Sequence, residues 1–453
     1  MRFLRVSLVV LFLVPFVGWG LGASDVIKVV ARSAAARPAE AAIRAGEVIV
    51  QFREAADTGM IEQALTEGLV ARVRAGVRRG NYLASLQSGE SVPDAVSRFR
   101  AMPEVDFAEP NGILHKSQGT TFTPNDTFFK FQWNMKLVGA VRTWGIQKGS
   151  PSVAIAVIDT GIAYEDFGPY RKAPDFAGTV FLPGFDFVNN DSHANDDEFH
   201  GTHVASTIAE ATNNGIGFAG LAFGCALMPV KVLDEQGNGT FFDVAQGIDY
   251  AVNFQQNGQN PVKVINLSLG GPGSSDSVSR AIDRAAARGV VVVAASGNES
   301  KGTIDFPATH PSVIAVGAVD ARKERAVYSN FGKELSLVAP GGNCDRDDDA
   351  DGEPDCVFQQ MPDPDAVRAG RHDVFCYCGL DGTSMATPHV AAAAALLISQ
   401  GITDPAAVRA ALAQTAERLG GAPAGGRNDT FGHGLIRPAV ALSGLGLNTD
   451  APR

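Results

Sequence analysis

From about residue 150 onward, short runs of apolar, mostly β-branched residues alternate with segments of helical spacing. Helical spacing covers residues 240–256 and 277–288. The apolar runs occupy residues 153–158, 227–233, 262–267, 290–295 and 313–319. Strands that are apolar on both faces are typical of parallel sheets covered by helices on each side. The sequence therefore predicts an α/β fold of three layers, with a mainly parallel sheet between helices.

Composition supports a folded protein and limits its partners. The chain has 453 residues, of which 45% are apolar and 19% charged, which excludes disorder, collagen and coiled coil as global descriptions. Its formal net charge is −11, and the acidic excess lies entirely after residue 118. A surface that coats nucleic-acid phosphates is therefore not expected. Carboxylates grouped in short loops either bind hard cations or face water.

The N-terminal segment has the features of a secretory signal peptide at residues 1–23. Arg2 and Arg5 precede an apolar stretch at 6–21, and small residues follow at 22–24. An uncleaved membrane anchor is the alternative, but the stretch is shorter than the ~20 residues that a spanning helix needs. No stable membrane anchor is expected, and the protein is predicted to be secreted, either extracellular or periplasmic. Export would allow its cysteines to form disulfides.

Residues 24–118 form a second unit with the pattern of a small α+β module. Its strands are predicted at 47–52, 81–86 and 105–108, and its helices at 58–67 and 92–100. A linker rich in Ser, Thr, Gly and Pro follows at 116–125. This linker predicts a domain boundary and a protease-accessible site.

Chemically reactive residues stand where the predicted elements of the last unit begin and end. Asp159 terminates one strand, His200 opens a helix, Asn298 follows another strand, and Ser384 opens the longest Ala-rich helix. Sites in parallel sheets form at the carboxyl ends of strands. A serine becomes an acyl-transfer nucleophile when an imidazole acts as its base and a buried carboxylate orients that imidazole.

Three motifs resemble the signatures of subtilisin-like serine proteases, the subtilases. They are Asp159-Thr160-Gly161, residues 200–203 (His-Gly-Thr-His) and residues 382–389 around Ser384, in the order Asp, His, Ser of that family. The resemblance implies a subtilisin-like fold and an endopeptidase in which Ser384 is the nucleophile, His200 the general base and acid, and Asp159 its orienting carboxylate. Asn298 matches the oxyanion-hole position of subtilisin. In an esterase of the α/β-hydrolase type, the nucleophilic Ser would instead precede the Asp and the His along the chain.

Other readings of the same motifs are weaker. Asp-Thr-Gly also occurs in aspartic proteases, but the tripeptide alone is a weak signal, and a zinc protease would have His-Glu-x-x-His where His200 and His203 stand. His203 is therefore expected to be a structural neighbour of His200. The competing functional class is an inactive, calcium-stabilised subtilase relative whose cleft binds peptides.

The resemblance extends over nearly the whole exported chain. Residues 45–112 are similar to the inhibitor-type propeptide of subtilases, which is an intramolecular chaperone and inhibitor. Residues 123–126, 132–134 and 140–144 resemble the mature N-terminus of the thermitase-like branch, and residues 431–436 match the usual C-terminal segment. The implied organisation is a propeptide at 24–118, a catalytic domain at 119–453, and autoprocessing within 113–125 of a protease that acts on proteins or peptides.

The resemblance also implies structural calcium, with no cofactor needed for catalysis. One site would use Asp126, Asp175 and Asn214 with carbonyls of residues 214–218, and oxygen ligands of this kind suit Ca²⁺. A second would use Asp186 and Asp191, although Asn189 and His193 replace carboxylates of the family pattern there. The alternative for this second site is a solvated acidic loop.

A third candidate cation site lies in a Cys- and Asp-rich insertion at residues 343–378. Its acids follow the D-x-D-x-D-G spacing of calcium loops, without the terminal Glu or flanking helices of an EF-hand; they are Asp347, Asp349, Asp351 and Asp355. Cys344 and Cys356 bracket this loop and could close it. Cys376 and Cys378 are only two residues apart, which is too constrained for an easy mutual bridge, so cross-pairings such as 344–376 or 356–378 stay open. Cys225 is predicted to be a buried thiol.

Substrate specificity is predicted from two segments that resemble the walls of the S1 pocket in the family. They comprise Ser268, Leu269 and Gly270 on one side and Ala295, Ser296 and Gly297 on the other. Asp305 falls near the base of that pocket, which suggests a preference for Lys or Arg at P1. The alternative is that Asp305 faces solvent or a cation.

Overall fold

The computed structural model describes residues 43–76, 79–87, 89–112, 121–421 and 426–444. They form two compact units, one up to residue 112 and one from residue 121. The predicted signal peptide and residues 113–120 of the predicted processing segment lie outside the described residues. Among the residues that are described, no helix combines the length and apolar character needed to cross a bilayer.

The first unit is a four-stranded antiparallel sheet with two helices, in the strand order β2-β3-β1-β4. Its elements are β1 (Ile43–Phe52), α1 (Thr58–Glu67), β2 (Val70–Ala75), β3 (Asn81–Leu86), α2 (Val92–Arg100) and β4 (Val105–Gly112). Asp57 and Ser91 cap the two helices by accepting from backbone N–H groups. β2 is not among the predicted strands, because its side chains are mostly exposed and lack apolar alternation.

The second unit contains a seven-stranded sheet in which every neighbouring pair is parallel, in the order β11-β10-β9-β8-β5-β7-β6. Its strands are β5 (Ala154–Asp159), β6 (Phe185–Asp186), β7 (Ala226–Lys231), β8 (Val262–Leu267), β9 (Val291–Ala295), β10 (Val313–Val319) and β11 (Leu337–Pro340). The five predicted strands correspond to β5, β7, β8, β9 and β10 within two residues at each end.

Helices cover both faces of this sheet, which confirms the predicted three-layer architecture. The helices of the described part of this unit are α3 (Trp133–Leu137), α4 (Ala140–Trp144), α5 (His200–Ala209), α6 (Phe241–Asn253), α7 (Asp276–Ala287), α8 (Pro364–Arg368), which lies in the insertion, α9 (Thr383–Ser399), α10 (Pro405–Thr415) and α11 (Pro438–Ser443). Along β5, Ile155 and Val157 join one apolar core with α5 and α9, while Ala156 and Ile158 join a second core with α6 and α7. Alternate residues of one strand therefore serve opposite faces, as burial on both sides requires.

The insertion contains an antiparallel hairpin of β12 (Val357–Pro362) and β13 (Phe375–Leu380). Its cysteines pair as Cys344–Cys356 and Cys376–Cys378, so the cross-pairings are not formed. The expectation that Cys376 and Cys378 are too close is wrong, because residues two apart in a strand point to the same face. Cys225 is a free, buried thiol, as predicted.

Candidate active site

Asp159 and the imidazole of His200 are brought together at the carboxyl end of β5. Asp159 is fully buried, and its Oδ1 accepts from the N–H of Thr160 at 2.8 Å. The same oxygen lies 2.7 Å from His200 Nδ1. A carboxylate at Nδ1 fixes the proton on that nitrogen, so Nε2 is left as the free base.

The electrostatics of this pair determine when His200 is a base. Burial lowers the pKa of His200, but the negative charge of Asp159, its hydrogen bond and the nearby Glu198 outweigh burial and raise the pKa from 6.5 to about 9. Glu198 also accepts from the N–H groups of Phe199 and His200 at 2.9 and 2.7 Å. Its carboxylate therefore satisfies backbone donors at the start of α5, where helices leave N–H groups unpaired.

Ser384 is the second residue of α9, which packs against α5. Its hydroxyl donates to the carbonyl of Ser268 at 3.0 Å, and the Ser268 hydroxyl donates to the carbonyl of Ser384 at 2.8 Å. Asn266 Nδ2 in turn donates to Ser268 Oγ at 3.0 Å. This reciprocal pairing ties the first turn of α9 to the end of β8.

Asn298 and the backbone of Ser384 present two hydrogen-bond donors to one small region. The Oδ1 of Asn298 accepts from both the N–H and the hydroxyl of Thr383 at 2.9 Å, which leaves its Nδ2 to point elsewhere. A methyl group added at Gly382 would lie 3.6 Å from Asn298 Nδ2 and 3.6 Å from Ser384 N. The two donors therefore lie close enough together to be candidates for stabilising one oxyanion.

The two predicted wall segments lie on either side of Asp305. The N–H of Asp305 donates to the carbonyl of Ser296 at 2.9 Å, and a Cβ on Gly297 would lie 2.3 Å from Asp305 Oδ2. A Cβ on Gly270 would lie 3.4 Å from Asp305 Cβ and 3.7 Å from the carbonyl of Ala295. Leu269 is part of the same segment and packs against the α6–α7 core. Burial and the neighbouring Glu299 raise the pKa of Asp305.

Asp126, Asp175 and Asn214 meet around the loop at 213–218. Asn214 Nδ2 donates to Asp175 Oδ1 at 2.6 Å, and the N–H of Asn213 donates to Asp126 Oδ2 at 2.7 Å. Asp175 is fully buried, and Asp126 Oδ1 is buried without a hydrogen-bond partner. Burial raises the pKa of Asp175 to about 6. A buried orphan oxygen beside a second buried carboxylate fits a cation, provided that the Asn214 amide turns its oxygen inward.

Asp186 and Asp191 also come together, but their carboxylates serve a turn. Asp186 accepts from the N–H groups of Val188 and Asn189 and from the Asn189 amide at 2.8 to 2.9 Å. Asp191 accepts from the N–H of His193 at 2.8 Å. These contacts account for the acidic residues as turn-forming groups.

In the insertion, the acids predicted to bind a cation only partly converge. Carboxylate oxygens of Asp347, Asp349 and Asp355 lie within 4.8 Å of one another. Asp351 is not part of this group, and its Oδ1 accepts from the N–H of Glu353.

His203 is held in the structure as a buried, neutral side chain. Its Nε2 donates to the carbonyl of Val357 at 2.8 Å, and burial lowers its pKa to about 3. A ring nitrogen that is committed to a carbonyl fits the structural role expected from the sequence.

Sequence reasoning missed several residues that support the site. Thr383 orients Asn298 and accepts from the N–H of Gly297 at 3.2 Å; it stands inside the recognised motif and could have been found there. Asp196 is buried and binds Thr160 and Thr202 on either side of the catalytic pair. Glu198 carries no motif signal, because its role depends on backbone contacts that only the fold creates.

Comparison with known proteins gives matches in both units. The model of the subtilase family matches residues 150–434, and that of the fervidolysin N-terminal prodomain matches residues 30–111. The chain is 37% identical to the thermophilic serine proteinase of Bacillus sp. (strain AK1) over 377 residues, which is 83% of each protein. It is 36% identical to thermitase of Thermoactinomyces vulgaris over 66% of this chain and 94% of thermitase.

A solved protease structure from Pseudoalteromonas arctica PAMC 21717 has the same fold, with a TM-score of 0.60 and 31% identity over 71% of this chain and 99% of that one. None of these relatives supports the inactive alternative. The family match covers more than half of the chain and includes the Asp159, His200 and Ser384 motifs. The chain therefore belongs to the subtilase family and is a subtilisin-like serine endopeptidase made as a zymogen with an N-terminal prodomain.

Proposed function

We propose that Ser384, His200 and Asp159 carry out peptide hydrolysis in this protein, with Asn298 stabilising the oxyanion. The observation that carries the assignment is the 2.7 Å contact between buried Asp159 and His200 Nδ1, because it leaves Nε2 as the base. Ser384 Oγ attacks the substrate carbonyl carbon and gives its proton to His200 Nε2, after turning away from the Ser268 carbonyl. Asn298 Nδ2 and Ser384 N donate to the resulting oxyanion.

The second half of the reaction reverses these roles. His200 gives the proton to the leaving amine as the C–N bond breaks, and the acyl-enzyme remains on Ser384. Water then attacks the ester while His200 accepts its proton; His200 returns that proton to Ser384 Oγ as the bond between Oγ and the acyl carbon breaks, and the acid product leaves. Asp159 holds the imidazole in one tautomer throughout.

The enzyme is proposed to be exported and to remove its own prodomain within residues 113–125. The prodomain match and the predicted signal peptide at 1–23 support this sequence of events. The test is intact mass and N-terminal sequencing of purified wild type beside Ser384→Ala. Wild type should begin within or just after 113–125, whereas Ser384→Ala should keep its prodomain. Equal processing of both proteins in the absence of added protease would contradict self-cleavage by Ser384.

The P1 preference is proposed to favour Arg or Lys, through Asp305 between the two wall segments. The carboxylate of Asp305 lies beside Gly297 and Gly270. The positive charge of Lys301 opposes the rise in the pKa of Asp305 that burial and Glu299 cause. Chromogenic peptides with Phe, Leu and Arg at P1 test this in wild type and Asp305→Asn. A lower kcat/KM for Arg than for Phe and Leu in wild type would contradict it.

Calcium is proposed to bind at the site of Asp126, Asp175 and Asn214, as a structural ion. Four hydrogen bonds join the loop at 213–218 to the N-terminal segment at 125–128, including Thr127 Oγ1 to the Gly215 carbonyl at 2.8 Å and Phe128 N to the Gly217 carbonyl at 2.9 Å. When bound, the ion would supply positive charge between buried carboxylates and would hold the N-terminal segment against the domain.

A further inference from the structure

The insertion places a closed loop directly beside the segment that carries Ser384. We call residues 343–356 the insertion loop. Its ends are joined by the Cys344–Cys356 disulfide and by a hydrogen bond from Asn343 N to the Asp355 carbonyl at 2.8 Å. A change in the conformation of this loop must therefore be transmitted through its two joined ends.

Three carboxylates of the insertion loop face one another. Oxygens of Asp347, Asp349 and Asp355 lie within 4.8 Å of one another. In the described part of the chain, the one ion pair that any of the three forms joins Lys136 Nζ to Asp349 Oδ2, at 4.0 Å. Carboxylates at this spacing repel one another unless a cation lies between them.

Asp355 gives the independent sign that this group binds a ligand. The residue is only 1% exposed, and its Oδ2 accepts from the N–H of Asp348 at 2.6 Å. Its Oδ1 is buried and has no hydrogen-bond partner. A buried carboxylate oxygen without a partner costs free energy, and a cation held with Asp347 and Asp349 would remove that cost.

One end of the insertion loop contacts the residues immediately before Ser384. The N–H of Cys344 donates to Asp381 Oδ2 at 3.1 Å, and the N–H of Gly382 donates to the Gly341 carbonyl at 3.0 Å. Asp381 is three residues from Ser384. The position of Cys344 therefore bears directly on the backbone that presents the nucleophile and its oxyanion-binding N–H.

At its other end the insertion loop continues into β12, which contacts the helix of the proposed catalytic histidine. Trp133 Nε1 donates to the Cys356 carbonyl at 2.8 Å. The next residue, Val357, accepts from His203 Nε2 at 2.8 Å, and Gln360 accepts from Ser206 Oγ at 3.0 Å. Both donors belong to α5, which begins at His200.

We propose that Asp347, Asp349 and Asp355 bind a divalent cation of the calcium type, and that this cation activates catalysis by positioning the segment before Ser384. The three carboxylates are the ligands, and Cys344, Asp381 and Gly382 are the positioning contacts. The inference uses peptide hydrolysis as its readout and so rests on the proposed function. It is independent of the cation site at Asp126 and Asp175.

The experiment compares purified wild type with the double variant Asp347→Asn, Asp349→Asn, and with Glu353→Gln as a control of the same loop. Both substituted aspartates are exposed, so the fold should survive. Terbium(III) is the binding probe, because Trp133 lies one hydrogen bond from the residue after Asp355 and can sensitise its emission. Steady-state kinetics are measured at saturating calcium chloride, where the site at Asp126 and Asp175 is filled in all three proteins.

The double variant should lose part of the tryptophan-sensitised terbium emission and should show a kcat lower by about five-fold or more, with KM little changed. Glu353→Gln should match wild type in both measurements. Terbium emission equal in the double variant and the control would overturn the cation site. Lost emission with an unchanged kcat would overturn the coupling to catalysis.

Failure of the proposed function can be told apart from failure of this inference. If wild type hydrolyses no peptide at saturating calcium, the assignment of Ser384 fails, whereas the terbium comparison still decides whether the insertion loop binds a cation.

Discussion

Among single residues, Asp159 has the most direct effect on the pH at which the enzyme works. Its charge and hydrogen bond raise the pKa of His200 to about 9 against the opposing effect of burial. His200 must be neutral to accept a proton. On the acidic side of this pKa, kcat/KM should therefore increase as the pH rises and should level off only near pH 9. The measurement is the pH profile of kcat/KM on a neutral peptide.

Glu198 provides the matched control for that profile. Its carboxylate adds to the raised pKa of His200 and contacts its backbone N–H. Glu198→Gln should therefore shift the acidic limb to lower pH while retaining turnover. An acidic limb at or below 6.5 in wild type would contradict the electrostatic account of the pair.

Asn298 should contribute mainly to the transition state. Asn298→Ala removes Nδ2 from the region that it shares with Ser384 N, and loss of one such donor lowers kcat by on the order of 10²–10³ in the related subtilisin. KM should change little, since the donor acts on charge that develops during the reaction. A large increase in KM with an unchanged kcat would contradict this role.

At the scale of elements, the loop at 213–218 should depend on calcium for its stability. Chelation would leave Asp126 Oδ1 and buried Asp175 without a cation. The melting temperature of Ser384→Ala should therefore fall on chelation, by the equivalent of about 2.7 kcal/mol if free calcium had been about 100 times Kd. Asp126→Asn should melt lower and respond less to chelator. An identical melt of Ser384→Ala with and without chelator would exclude calcium as a stabilising ion.

Strands with long runs of apolar residues were predicted from the sequence, whereas the exposed strand β2 was not. β5 and β8 were found because both faces are apolar. β2 was missed because Arg72 and Arg74 occupy an exposed strand. The loop of acids at 347–355 was recognised by its spacing, but the convergence of Asp355 without Asp351 depends on backbone contacts that spacing does not specify.

For the whole molecule, the prodomain unit should affect how much enzyme is made and not how well it works. Phe99 is fully buried in the core of this unit, which is separate from the cores of the catalytic unit. Phe99→Ala should cost about 3–5 kcal/mol in the prodomain, a large share of the stability of so small a unit. The yield of processed enzyme should fall, while kcat per active site stays that of wild type.

Active-site titration of the Phe99→Ala preparation separates these two quantities. A normal yield would contradict a folding role for the prodomain, and a changed kcat would contradict the independence of the two cores. Ala95→Gly is a milder substitution in the same helix and core, and should lower the yield less.

The proposed catalytic residues are recognisable in the sequence because each stands at the end of a strongly patterned element. Asp159 ends β5, His200 begins α5, and Ser384 lies in the first turn of α9. Supporting contacts were harder to predict, because Glu198 and Ser268 act through backbone groups that the fold brings near. The pairing of Cys376 with Cys378 depended on strand geometry in β13, which the local sequence did not indicate.

The central claim is that Ser384 is the nucleophile activated by His200, and covalent labelling tests it most directly. Purified protein is treated with a serine-reactive fluorophosphonate and the modified peptide is sequenced by mass spectrometry, in wild type, Ser384→Ala and His200→Ala. The account predicts one adduct, on Ser384, formed in wild type and nearly absent in both variants. Labelling of another serine, or peptide hydrolysis by Ser384→Ala at the wild-type rate, would contradict it.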